Sequence, residues 1–119
     1  MYTIPTDPSM VAKVYHPNRR TVDRSVKLRA LLALKSPGLL KVAAWPTALL
    51  FEPQSKDVVG FVMPRMMDCR PIQELYNPVQ RLRLFPRAGW RFQVRAAVNL
   101  SAAFDEVHRA GCLVGDVNE

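Results

Sequence analysis

The spacing of apolar residues changes period several times along the chain, and each change marks an element. Met10 to Tyr15 alternates, with Val11, Lys13 and Tyr15 on one face and Met10, Ala12 and Val14 on the other. That two-residue period predicts a strand. Tyr2 to Ile4 is short and β-prone, and Pro5-Thr6-Asp7-Pro8-Ser9 between them has turn chemistry, so a hairpin is expected. From Thr21 to Leu34 the period lengthens to about 3.6: Val22, Val26, Leu28, Leu31, Leu32 and Leu34 predict a helix, with Thr21 as its cap. Ser36-Pro37-Gly38 is expected to end it. Strands follow at Thr47 to Glu52 and Val58 to Met63, joined by a turn over Pro53 to Asp57.

Beyond Met67 the pattern is irregular up to Gly89, with short helices expected at Glu74 to Tyr76 and Pro78 to Leu84. Trp90 to Ala110 carries the clearest helical period, through Phe92, Val94, Ala97, Val98, Ala102, Phe104 and Val107. Gly111 just past it is a helix stop. Cys112-Leu113-Val114 has the character of a short buried strand; Gly115 then frees the backbone and Asp116 follows. A carboxylate on a loop between packed elements is how a scaffold presents a catalytic group.

Composition narrows the classes. A chain of 119 residues is one small domain or a piece of a larger one. Its net charge of +7 calls for an anionic partner: nucleotide, nucleic acid or membrane surface. Cys69 and Cys112 lie far apart with no C-x-x-C spacing, which points to a reducing compartment. No basic segment followed by an apolar run opens the chain, and the longest apolar stretch, Val42 to Phe51, contains Pro46 and is too short to span a bilayer. A cytoplasmic protein is expected. His16 and His108 share no metal-ligand spacing with each other or with the cysteines, so no metal site is read from this chain. Arg87, Arg91 and Arg95 recur at i, i+4 and i+8, with Arg81 and Arg83 nearby. Without interleaved aromatics this stripe reads as a solvated face before it reads as a nucleic-acid surface.

Two motifs carry a resemblance. Val11-Ala12-Lys13 puts a lysine in mid-strand, and Val114-Gly115-Asp116-Val117-Asn118-Glu119 closes the chain. Together they resemble the protein-kinase-like superfamily, in particular bacterial kinase-like proteins whose catalytic loop reads G-D-V-N. The resemblance implies an α+β fold: residues 1–66 as a small lobe of twisted antiparallel sheet with one helix, and residues 67–119 as the first helices of the large lobe, ending in the catalytic loop. It implies ATP and Mg²⁺ as cofactors and a protein as the phosphoryl acceptor. Lys13 would position the phosphates and Asp116 would accept the acceptor's hydroxyl proton. Val62-Met63-Pro64-Arg65-Met66 resembles the interlobe hinge, with Met63 as gatekeeper and Met66 offering backbone groups to an adenine.

Three departures accompany it. The helix glutamate that pairs with the strand lysine in kinases falls at Lys27, so Asp23, one turn earlier, is expected to approach Lys13 instead. No glycine precedes Gly38, so the glycine-rich phosphate loop has no counterpart here, and Val114 and Gly115 replace the histidine and arginine of H-R-D. The chain is therefore expected to be part of a larger phosphotransferase and inactive alone. The alternatives are a pseudokinase or interaction module without turnover, and a basic nucleic-acid-binding domain. Residues 90–110, apolar on more than one face, are expected to mediate self-association.

Overall fold

The computed structural model describes residues 1–115. They form two compact units, Met1–Met66 and the residues from Met67 onward. The class is α+β.

The first unit is built on a four-stranded antiparallel sheet in the order β1-β2-β4-β3. Its strands are β1 (Tyr2–Ile4), β2 (Asp7–Val14), β3 (Ala48–Phe51) and β4 (Val58–Pro64). β2 and β4 are central, paired from Met10↔Pro64 to Val14↔Gly60. The alternation of β2 holds: Val11 is buried against Met63, Phe61 and Leu28, and Tyr15 packs on the same core. The turn expected over Pro5 to Ser9 is shorter than its composition suggested, since β2 already starts at Asp7. The Asp7 carboxylate does accept from the Ser9 N–H and hydroxyl, but inside the strand.

α1 (Val22–Ala33) starts where expected, with the Thr21 hydroxyl accepting from the Arg24 N–H at 3.3 Å. Its apolar period overstates its burial. Only Leu28 is fully buried, while Val22 and Val26 are exposed, because the sheet covers just one side of the helix. Ser36-Pro37-Gly38 does not simply end a helix; it begins another, α2 (Pro37–Val42). The Ser36 hydroxyl accepts from the Leu39 N–H at 3.1 Å and Pro37 takes the first turn, where its missing N–H costs nothing. α2 delivers Leu39, fully buried, and Trp45 follows it into the interior. The Trp45 indole donates to the Leu31 carbonyl at 2.7 Å, binding the end of α1 to this segment.

The second unit holds α3 (Gln73–Tyr76), α4 (Pro78–Leu84) and α5 (Trp90–Arg109). The Asn77 side chain caps α4 by accepting from the Val79 and Gln80 N–H groups. α5 ends as the sequence predicts. Gly111 takes φ +77°, its N–H reaches the His108 carbonyl at 2.9 Å, and the Cys112 N–H reaches the Val107 carbonyl at 3.2 Å. This is a Schellman closure, which a glycine alone adopts without strain. The strand expected at Cys112 to Val114 is absent: the segment has no regular structure and Leu113 is 87 % exposed. Three apolar residues do not make a strand without a neighbouring edge to pair with. No residue of α5 is fully buried, and Trp90 is 76 % exposed. Among the described residues no helix is long and apolar enough to cross a membrane.

Candidate functional site

β4 outruns β3. Their pairing begins at Ala48↔Val62, so Met63 and Pro64 run past β3 while still paired to β2, and the chain leaves the sheet after them. Pro64 sits there without cost. The ladder bonds to β2 run through odd-numbered residues, as the Tyr15 N–H to Val59 carbonyl and Arg65 N–H to Ser9 carbonyl bonds show. Pro64 therefore occupies a non-hydrogen-bonded pair, opposite Met10, where no donor is needed. The Arg65 N–H is taken by Ser9 at 2.7 Å, while the Met66 N–H has no acceptor among the described residues.

Beside this exit lies a recess of about 440 Å³, within the range of small-ligand sites. Val11 and Met63 line it from the two central strands, Tyr2 and Thr3 from β1, and Ala44 from the segment after α2. Pro64, Arg65 and Met66 form its rim, with Met1. The lining is predominantly apolar, with the Met66 N–H as an unused donor close by.

Lys13 stands two residues along β2 from Val11, on the same strand face and paired with Phe61. It is exposed, and its Nζ lies 6.0 Å from the centre of the Phe61 ring. A bare glycine fixes the backbone here. A Cβ at Gly60 would collide with the Lys13 carbonyl oxygen and lie 3.0 Å from the Val14 Cα. Gly60 thus lets β2 press against β4 at the lysine.

The expected approach of Asp23 to Lys13 is not found. Among the described residues no carboxylate is within salt-bridge distance of Lys13; Asp23 is exposed in the first turn of α1. Besides the buried Leu28, α1 brings Arg24 to the sheet's edge, its guanidinium 4.7 Å over the Tyr15 ring. Arg20 reinforces that corner, donating to the Tyr15 carbonyl at 3.0 Å and pairing with Glu52 at 3.3 Å. Burial raises the Tyr15 hydroxyl pKa, and the Arg24 charge partly offsets the rise.

Of the residues singled out in the sequence, Met63 and Met66 meet in the recess. Lys13 and the exposed Asp23 lie outside its lining, and Asp116 falls outside the described residues. Val11, Tyr2, Thr3 and Ala44 were not singled out. Val11 is legible in the sequence, since the alternation that places Lys13 on one face places Val11 on the same face. Tyr2 and Thr3 follow only from the hairpin register, Tyr2↔Ala12 and Thr3↔Val11. Among the described residues no three His, Cys, Asp or Glu side chains are grouped to hold a metal ion.

Comparison with known proteins bears on the motifs. The chain is 34 % identical over all of its 119 residues to protein kinase YegI of Escherichia coli strain K12, and these residues cover 18 % of that protein. It is 36 % identical over 109 residues, 92 % of the chain and 17 % of the relative, to protein kinase YegI of Escherichia coli O157:H7. The chain thus spans less than a fifth of the length of these curated relatives. No family model and no solved structure matches it. Along its whole length, this chain is similar to a stretch of proteins named as protein kinases, in agreement with the kinase-like resemblance of its motifs.

Proposed function

We propose that this chain supplies the nucleotide-binding small lobe and the catalytic-loop carboxylate of an ATP-dependent, kinase-like phosphotransferase. The carrying observation is that Val11, Met63 and Met66, whose N–H is unused among the described residues, line one recess, and that Val11 shares its strand face with Lys13. An adenine ring fits this chemistry: Val11 and Met63 offer apolar walls, and the Met66 N–H can donate to a ring nitrogen. The Lys13 ammonium then meets the phosphates further along β2, as a compact charge suited to that task. Asp116 is assigned the acceptor's hydroxyl proton. A bond forms from that oxygen to the γ-phosphorus, the bond to the β–γ bridging oxygen breaks, and the proton passes to the carboxylate. Mg²⁺ belongs to the same reading as the ion that neutralises phosphate charge. The described residues provide no ligand set for it, so its ligands are expected elsewhere in such a protein.

The parent acceptor is proposed to be a protein hydroxyl. A nucleotide-binding protein without turnover is the second reading, favoured by the absence, among the described residues, of a carboxylate at Lys13. Equilibrium titration of the chain with ATP tests the common part. Binding weakened about tenfold or more by Lys13→Met supports it, a factor set by the loss of one charge-assisted contact. No binding, or binding indifferent to Lys13→Met, overturns it. Phosphoryl transfer from labelled ATP by a longer protein containing these residues, lost in Asp116→Asn, separates turnover from binding alone.

A further inference from the structure

The charge pattern around Lys13 carries a consequence for how the lysine is used. Asp23 is the only acidic residue between Pro8 and Phe51, a span that includes Arg24, Lys27, Arg29, Lys35 and Lys41 as well as Lys13 itself. α1 and α2 therefore contain one carboxylate between them, and it is exposed and unpaired with Lys13. Asp23 sits in the first turn of α1, where a negative charge is favoured by the helix dipole whatever its neighbours. The next acid along the chain, Glu52, is held by Arg20.

α1 needs no ion pair at Lys13 to stay on the sheet. Leu28 is buried in the common core, Arg24 lies on Tyr15, Tyr15 leans on Phe61 with ring centres 6.1 Å apart, and Trp45 holds the Leu31 carbonyl at the other end. The charged residue of α1 seen against the sheet's core is thus a cation stacked on an aromatic ring rather than a carboxylate.

We propose that Lys13 takes its counter-ion from the bound nucleotide and never from α1, and that α1 is latched to the sheet by Arg24 on Tyr15, independently of the lysine. The first half rests on the nucleotide reading above; the second half does not. Two consequences follow. Among the described residues no carboxylate neutralises Lys13 in the free protein, so affinity rises steeply with the number of phosphates and falls steeply with salt. Movement of α1 is not a condition for Lys13 to reach phosphate.

The test compares ATP, ADP and AMP affinity and thermal unfolding of the 119-residue chain in four forms: wild type, Lys13→Met, Asp23→Asn and Arg24→Leu. Lys13→Met is expected to weaken ATP about tenfold or more while moving the free protein's Tm by less than about 1 °C. Asp23→Asn is expected to leave ATP affinity within about twofold. Arg24→Leu is expected to lower Tm by about 4 °C or more. Asp23→Asn weakening ATP as much as Lys13→Met would overturn the proposal, as would a large loss of Tm on Lys13→Met alone. A wild-type chain that ignores ATP overturns the nucleotide reading and the counter-ion with it. The latch then stands or falls on the Tm values of Lys13→Met and Arg24→Leu. An Arg24→Leu chain that does not fold supports the latch if Lys13→Met folds normally, and a Tm unchanged by Arg24→Leu removes it.

Discussion

The backbone of Lys13 rests against the bare Cα of Gly60. The two residues lie on the central strands β2 and β4, and the space a Cβ would need is filled by the Lys13 carbonyl oxygen and the Val14 Cα. The obstacle is backbone on both sides, so it cannot swing aside as a side chain would. Gly60→Ala is expected to cost about 2 to 4 kcal/mol, at the upper end of overpacking effects. Urea unfolding would show it as a lower midpoint. An unchanged midpoint would mean the strands can separate at Lys13 without loss.

The two caps of the first unit have measurable worth. Ser36→Ala removes the hydroxyl that accepts from Leu39 and should cost about 1 kcal/mol, as should Thr21→Ala at the start of α1. Ser36→Asp, which keeps an acceptor, should restore most of the loss. Denaturant titration decides; equal midpoints for Ser36→Ala and wild type would contradict the capping role.

Alkaline pH should weaken the first unit through Tyr15. Burial raises its pKa in the folded protein above the ordinary 10.0, against a smaller opposing effect of Arg24. The folded state therefore holds this proton after the unfolded chain has lost it. Stability from this group is complete below pH 10.0 and declines as pH rises through the folded value. Tyr15→Phe should flatten that part of the stability profile between neutral and alkaline pH. An identical decline in Tyr15→Phe would assign it to other groups.

Much of the first unit was legible because its signals are local. Alternation in Met10 to Tyr15 and the polar turn at Pro53 to Asp57 each predict an element from adjacent residues, and β2, β3 and β4 lie where they point. What was not legible depends on pairing. α2 was hidden because Ser-Pro-Gly is both a helix stop and a helix start, and only the buried Leu39 selects the second. Leu113 has the character of a strand residue and lies 87 % exposed, since no edge receives it. At the site, Met63 and Met66 were found by resemblance and Val11 could have been found by its alternation with Lys13. Arg24 could not, because the kinase pattern places a carboxylate on this helix and α1 presents a guanidinium to an aromatic ring instead.

The rim of the recess offers a cleaner test than its walls. Met66 is 51 % exposed and its N–H is unused among the described residues, so Met66→Pro removes the donor, and comparison with Met66→Ala, which keeps it, separates the donor from the side chain. ATP affinity should fall about tenfold, the worth of one good hydrogen bond to a buried base, with Tm within about 2 °C of wild type. Affinity unchanged by Met66→Pro would take the adenine edge away from residue 66.

The central claim is that nucleotide occupies the recess beside β4. The most direct measurement is the amide NMR spectrum of the isotopically labelled 119-residue chain, titrated with ATP. The account predicts the largest shifts at Val11, Lys13, Met63 and Met66, reduced throughout in Lys13→Met. Shifts gathered instead along Arg81, Arg83, Arg87, Arg91 and Arg95, or none at Val11 and Met66 at millimolar ATP, would contradict it.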